Sequence, residues 1–193
     1  MKSFLLRITI LAMFISSTPC QQKVLAQVSD PLPDKKVGAA EVYYFKDKNK
    51  SRAQVRIYLQ GQPEDTTAKK DAISIDVIFE VPGLKLTKPK YATLAFRVYS
   101  AEKSKYSKDH NIHIYTDGME GRYWTEWRTR LLTTKPLSTG GTLEIFLSPP
   151  LEYERIERMA NAGEVIVTIG DSRFALKKQD LQAIKDLNQT IEK

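Results

Sequence analysis

The densest chemistry in the chain lies in nine residues, Arg122–Arg130, RYWTEWRTR, which hold both tryptophans and three arginines. Read as a strand, the period of two puts Tyr123, Thr125, Trp127 and Thr129 on one face and Arg122, Trp124, Glu126, Arg128 and Arg130 on the other. The first set suits a core. The second sets a large indole among guanidinium groups, a surface able to stack on a sugar ring or on a partner's side chain. The plainer reading is that the arginine stems and guanidinium planes cover Trp124 by cation–π contact. Trp124, Arg122, Arg128 and Arg130 are therefore the candidate ligand-binding residues. A second pair, His110 and His113, is three apart. On a helix that offset would offer both imidazoles to one ion, but the surroundings read as strand, where an odd offset sends them to opposite faces. No further ligand pattern accompanies them, so no metal site is expected.

A third stretch is Ile166–Arg173, IVTIGDSR. An apolar run followed by Gly-Asp-Ser resembles the first block of the GDS-type lipases and esterases, and the resemblance would make Ser172 the nucleophile. The family's downstream blocks are missing: few residues follow Ser172, and both histidines precede it. A nucleophilic serine needs a base within hydrogen-bond reach. A type II′ turn, with Gly170 supplying a positive φ, explains Gly170-Asp171 better. P-loop, Rossmann glycine and nucleophile-elbow patterns are also missing. The chain therefore reads as non-enzymatic, with no catalytic residue and no cofactor.

The first 26 residues have the form of an export leader: Lys2 and Arg7, an apolar core over Ile8–Ile15 broken by Thr9, a polar exit, and Val24-Leu25-Ala26 ahead of a cut between Ala26 and Gln27. The core is well short of the ~20 residues that span a bilayer, so no permanent membrane span is expected. Cys20, the only cysteine, lies within this leader. Pro19 before it departs from a lipobox, which makes lipid attachment at Cys20 the minor alternative. The mature chain then has no disulfide and depends on its core for stability. The leader carries Lys2, Arg7 and Lys23 and no acid. Removing them lowers the formal charge from +7 to +4, with 27 basic against 23 acidic residues. That is ordinary solubility charge, and no nucleic-acid motif accompanies it.

Residues 27–36, with Pro31, Pro33 and paired lysines, read as a flexible lead-in, and 37–193 as one domain. Glu41–Phe45 suggests a first strand. Val55, Ile57 and Leu59 alternate with Arg56 and Tyr58. Ile73, Ile75, Val77, Phe79 and Val81 alternate with Ser74, Asp76, Ile78 and Glu80, the clearest period of two in the chain. Leu84 and Leu86 hint at a short strand. Leu94, Phe96 and Val98 predict a strand with Arg97 and Tyr99 outward. Ile112 and Ile114 predict another, Tyr123–Leu132 a longer one, and Leu143, Ile145 and Leu147 one more. Ser148-Pro149 looks like an N-cap and first turn. The helix behind it carries Tyr153, Ile156, Met159 and Ala160 on one face and ends at a left-handed Gly163.

The last stretch, Glu164–Leu187, reads as strand, turn, strand and closing helix, with Leu181, Ile184, Leu187 and Ile191 forming the helix's apolar stripe. Strand 142–147, helix 151–162 and strand 164–169 have the form of a crossover, right-handed if both strands share a sheet in parallel. The predicted class is mainly β (α+β): an antiparallel β-sandwich-like or curved sheet with two helices near the C-terminus, the last packed on the sheet. Leu151–Leu187 resembles the ends of many small exported bacterial proteins of uncharacterised families, a structural likeness with no functional residue to carry over.

Taken together, the sequence predicts an exported bacterial protein, periplasmic or secreted, acting as a binding or accessory module of the cell envelope. The partner would be a protein or envelope component. The alternatives are a polysaccharide binder using the Trp124 face on an anionic glycan, and a hydrolase with an unrecognised site.

Overall fold

A computed structural model describes residues 38–61, 71–101, 104–117, 127–137 and 140–191, with Trp127 and Arg128 described in backbone pairing alone. The leader, Cys20, the Ala26–Gln27 bond and the lead-in lie outside these residues. Eleven strands and two helices follow in order: β1 (Glu41–Phe45), β2 (Lys50–Gln60), β3 (Ala72–Pro82), β4 (Tyr91–Ser100), β5 (Asn111–Thr116), β6 (Trp127–Arg128), β7 (Arg130–Pro136), β8 (Thr142–Leu147), β9 (Leu151–Glu152), α1 (Tyr153–Asn161), β10 (Val165–Ile169), β11 (Ser172–Ala175) and α2 (Lys178–Gln189). They build a seven-stranded sheet in the order β1-β2-β3-β4-β8-β7, with β9 also on β4, and a four-stranded sheet in the order β11-β10-β5-β6. Each strand pair among the described residues is antiparallel. The protein is thus mainly β, with both helices in the C-terminal part.

The register explains the core. Opposite one another on β2, β3 and β4 stand Val55, Val77 and Leu94, then Ile57, Ile75 and Phe96. These side chains share the inner face and bury against Ile112 and Ile114 of β5, Val165, Val167 and Ile169 of β10, and the apolar stripes of both helices. The stripes are those the spacing predicts: Ile156, Met159 and Ala160 on α1, and Leu181, Ile184 and Leu187 on α2. β-branched side chains fit this pleated, doubly covered surface. The closing helix packs on α1 and β2. Its N-cap, Lys177, has only donors on its side chain. The Asp180 carboxylate instead accepts the Lys177 N–H at 2.8 Å, the one half of a capping box that this sequence supplies.

Several local expectations are corrected. β8 and β10 belong to different sheets, so the link through α1 joins two layers and is no parallel crossover. The strand expected over Tyr123–Leu132 is broken: β6 pairs with β5, β7 pairs with β8, and buried Thr129 lies between them. The Thr129 hydroxyl donates to the His110 carbonyl at 2.6 Å, which fixes the step from one sheet to the other. Ser148 does not cap α1. Its hydroxyl oxygen accepts the Leu94 N–H at 3.0 Å and its proton goes to the Pro149 carbonyl, while Glu152 precedes the helix. Gly163 is not left-handed; its N–H and that of Glu164 are taken by the Asp117 carboxylate. Leu84 and Leu86 form no strand. The Gly170-Asp171 turn is as predicted: Gly170 has φ +49°, Asp171 has no positive φ, and Ile169 pairs with Ser172.

Candidate anion-binding site

Strand β3 looks half-exposed in sequence, yet Ala72–Phe79 is buried without interruption. The second face of the seven-stranded sheet, opposite the main core, therefore holds polar groups out of water. Register places Arg56 of β2 opposite Asp76, and Asp76 opposite Ala95 of β4. One step along, Tyr58, Ser74 and Arg97 form the next row. Tyr99 stands two residues beyond Arg97 on the same face.

Asp76 is the centre. Arg56 donates to it through Nε at 2.6 Å and Nη2 at 3.0 Å, one donor to each carboxylate oxygen. Arg97 donates through Nε at 2.7 Å from the opposite neighbouring strand. Asp76 is 2% exposed and Arg97 4%. Charges so buried persist only when paired and hydrogen-bonded, and bidentate arginine–carboxylate contacts are the strong form of that pairing. Burial alone would lower the Arg56 pKa; the hydrogen bonds and charge of Asp76 outweigh it and hold the guanidinium above its ordinary value.

The cluster thus sets two guanidinium groups on one carboxylate. Around it stand hydroxyl groups. Ser74 Oγ and Tyr99 Oη are buried and make no hydrogen bond to a protein group. Burial raises the Tyr99 pKa, partly offset by Arg56 and Arg97, so its hydroxyl remains a protonated donor at neutral pH. Arg56 keeps 23% of its side chain open to solvent, while Ser74, Asp76, Arg97 and Tyr99 are covered. A cationic group surrounded by hydroxyl donors is the chemistry of an oxyanion receptor.

Of the residues expected from sequence, Trp124 and Arg122 lie outside the described residues, and the Arg128 backbone pairs with Asn111 in the smaller sheet. Arg130 is exposed on β7 and pairs with Leu147, which itself faces Ala95. Arg130 therefore shares the outer face, and the row, with Arg56 and Asp76. Arg128 and Arg130 belong to different sheets. Arg97 and Tyr99, expected outward toward water, do stand on the outer face but are buried.

The other clusters read as structural. Ser172 Oγ receives a hydrogen bond from Lys105 Nζ at 2.9 Å and shares one with Tyr106 Oη at 2.7 Å. His113, opposite Thr168, stands on the other face of the four-stranded sheet from Ser172, opposite Ile169. The serine thus lacks an imidazole, and its contacts tie the 104–109 loop to the β10–β11 turn. His110 stacks on Phe146 at 5.0 Å. Among the described residues no three His, Cys, Asp or Glu side chains gather as metal ligands, and no helix is long and apolar enough to cross a membrane.

The Arg56–Asp76–Arg97 cluster is the feature the sequence reading missed. A signal was present: an acid on β3 with an arginine on each adjacent strand. Only the register, however, makes those three residues neighbours. No family model, curated protein or solved structure matches this chain, so its function is argued from its own residues.

Proposed function

We propose that this protein is a non-enzymatic binding module of the bacterial cell envelope, exported by its N-terminal leader, that takes an anionic ligand on the outer face of its larger sheet. One observation carries the reading: Arg56 and Arg97 meet on a single carboxylate, with the Ser74 and Tyr99 hydroxyls beside them. Arginine forks match carboxylate and phosphate oxygens. A second reading, retention of an anionic glycan by Trp124, Arg122, Arg128 and Arg130, has the exposure of Arg130 in its support.

Calorimetric titration of the full chain at low salt with small carboxylates and with phosphate tests the first reading. Binding that falls at least tenfold in Arg56→Gln, with circular dichroism unchanged, is expected. Equal binding of uncharged analogues overturns it. For the second reading, Trp124→Ala should lose retention on an anionic glycan column without losing its fold. An ester, glycoside and phosphate-ester screen should show no turnover that Ser172→Ala removes. The mass of the protein isolated from its native host should correspond to a chain beginning at Gln27.

A further inference from the structure

The two sheets end on four strands, β1 and β7 in the larger and β11 and β6 in the smaller. An edge strand offers N–H and C=O groups to any further strand, and proteins blunt such edges with bulges, prolines, basic side chains or short length. Three of these four are blunted in that way. β7 carries Arg130, Lys135 and Pro136, and its register slips between Leu131 and Thr133. β11 has four residues, Arg173 among them, and β6 has two. β1 is different. Glu41–Phe45 has no proline and no basic residue, and it pairs with β2 in unbroken register from Glu41↔Gln54 to Phe45↔Lys50. Among the described residues no strand pairs with its other side.

Its apolar side chains are open to water. Val42 and Tyr44 stand opposite Ala53 and Ser51, on the face that puts Ala53, Val55 and Ile57 into the main core. Yet Val42 is 52% exposed and Tyr44 41%. Leu84, also exposed, stands at the same corner, because the Ser51 hydroxyl opposite Tyr44 lies 2.8 Å from both the Gly83 and the Leu84 carbonyl oxygens.

The strand is complementary to itself. Set antiparallel to a second copy, about a two-fold axis at Tyr43, it places Val42 opposite Tyr44, Tyr43 opposite Tyr43 and Glu41 opposite Phe45. Aromatic and β-branched side chains make favourable cross-strand pairs. Odd positions meet odd and even meet even, so the outward backbone groups of one copy face those of the other. The charges agree as well. Phe45 carries Arg52 over its ring at 5.2 Å and Lys48 at 5.9 Å, so the second copy's Glu41 arrives beside two cations. A slip of one residue would turn the apolar side chains to the wrong face. A slip of two loses both Val42–Tyr44 pairs and, toward the turn, sets Glu41 against Asp47. Helix α2 packs on β2. The two copies' helices then lie three strand spacings apart, roughly 14 Å. That is wider than the about 8–10 Å of packed helices, which leaves room for Val42 and Tyr44 between them.

We infer that β1 is the docking edge for a second copy of this chain, closing a two-fold dimer in which the two larger sheets become one. The inference is independent of the ligand. One short strand pair lies at the low end of specific interfaces, below about 1,200 Å², so the dimer is weak and reversible.

Sedimentation velocity of the full chain from micromolar to millimolar concentration should show a mass rising from one chain to two. Val42→Lys puts a charge on the edge and should weaken association about tenfold or more, with circular dichroism unchanged. Leu131→Lys, the same change at an exposed position on the blunted β7 edge, should associate as the wild type does. In a Cys20→Ser background, Tyr43→Cys should form a disulfide with a second copy on mild oxidation, because opposite Cα atoms lie about 4.5–5.5 Å apart. Phe45→Cys should do so only when mixed with Glu41→Cys. If Val42→Lys fails to fold, this cross-linking pattern decides alone.

A monomer at every concentration overturns the inference and leaves the edge to a strand of another protein. Association that survives Val42→Lys overturns it, and its loss in Leu131→Lys moves the contact to β7. Cross-linking of Phe45→Cys with itself, or growth beyond two chains, overturns it too, since a two-fold contact closes.

Discussion

Arg56 and Arg97 grip one carboxylate, that of Asp76, from the two strands on either side of it, at 2.6 and 2.7 Å. Three strands of the larger sheet are thereby tied through a single side chain. Removing that side chain leaves two cations without their counter-charge, one of them buried. Asp76→Ala should cost about 3–5 kcal/mol, the range for an uncompensated buried charge. Arg56→Gln, at a partly open position, should cost about 1 kcal/mol. Urea melts of both variants check the contrast; equal losses would mean that Asp76 does not carry the cluster.

Asp117 and Gly163 form a second specific pair. The carboxylate at the end of β5 accepts the N–H groups of Gly163 and Glu164. A Cβ added at Gly163 would lie 2.9 Å from Asp117 Oδ2. Asp117→Ala should cost about 1 kcal/mol, since the site is exposed and water replaces part of the bond. Gly163→Ala should destabilise the wild type and be milder in Asp117→Ala. A double-mutant cycle measures this, and strict additivity would refute the contact.

Gly141 has φ +87°, and a Cβ there would sit 2.3 Å from the Ser100 carbonyl oxygen. Backbone has to move to admit any side chain. Gly141→Ala should lose at least the ~1–3 kcal/mol of left-handed strain. At Gly140, with φ +88° and open space around it, only the strain applies. Thermal melts should therefore rank Gly141→Ala clearly below Gly140→Ala.

The pH dependence has two limbs. Burial, with Glu157 and Glu154 nearby, pushes the Tyr153 pKa up to about 12. A folded-state pKa raised above the ordinary 10 means that the unfolded chain ionises first. The associated stability is complete below pH 10 and drains away as pH rises toward 12. Tyr153→Phe should flatten that loss. On the acid side, burial would raise the Glu80 pKa, but Lys50 and Arg52 outweigh it and hold it low. Its contribution is present above the ordinary carboxylate pKa and is lost as pH falls through the lowered value. Glu80 is more than a third exposed, so Glu80→Gln should change the acid limb only slightly. Stability curves at acid and alkaline pH read both.

Much of the fold was legible because it is written in local periodicity. Ile73–Val81 alternates, Leu181, Ile184 and Leu187 recur at helical spacing, and Gly170-Asp171 is a turn in any context. Each feature depends on neighbours in sequence. What misled was non-local. Arg97 and Tyr99 read as solvent-facing because alternation reports which face a side chain takes and says nothing of whether water reaches that face. The break at Thr129 was invisible because both flanking segments have strand character, and only their different partners, β5 and β8, separate them. The arginine–aspartate cluster needed three strands in register before its members met.

One pairing bears on how the chain reaches this state. β5 finds its main partner in β10, so Asn111–Thr116 closes on Val165–Ile169 across most of the C-terminal half. A chain delivered N-terminus first carries Ile112 and Ile114 uncovered until those later residues arrive. Such long-range closure slows assembly and exposes sticky segments meanwhile. Until then residues 111–116 are the segment most open to mispairing.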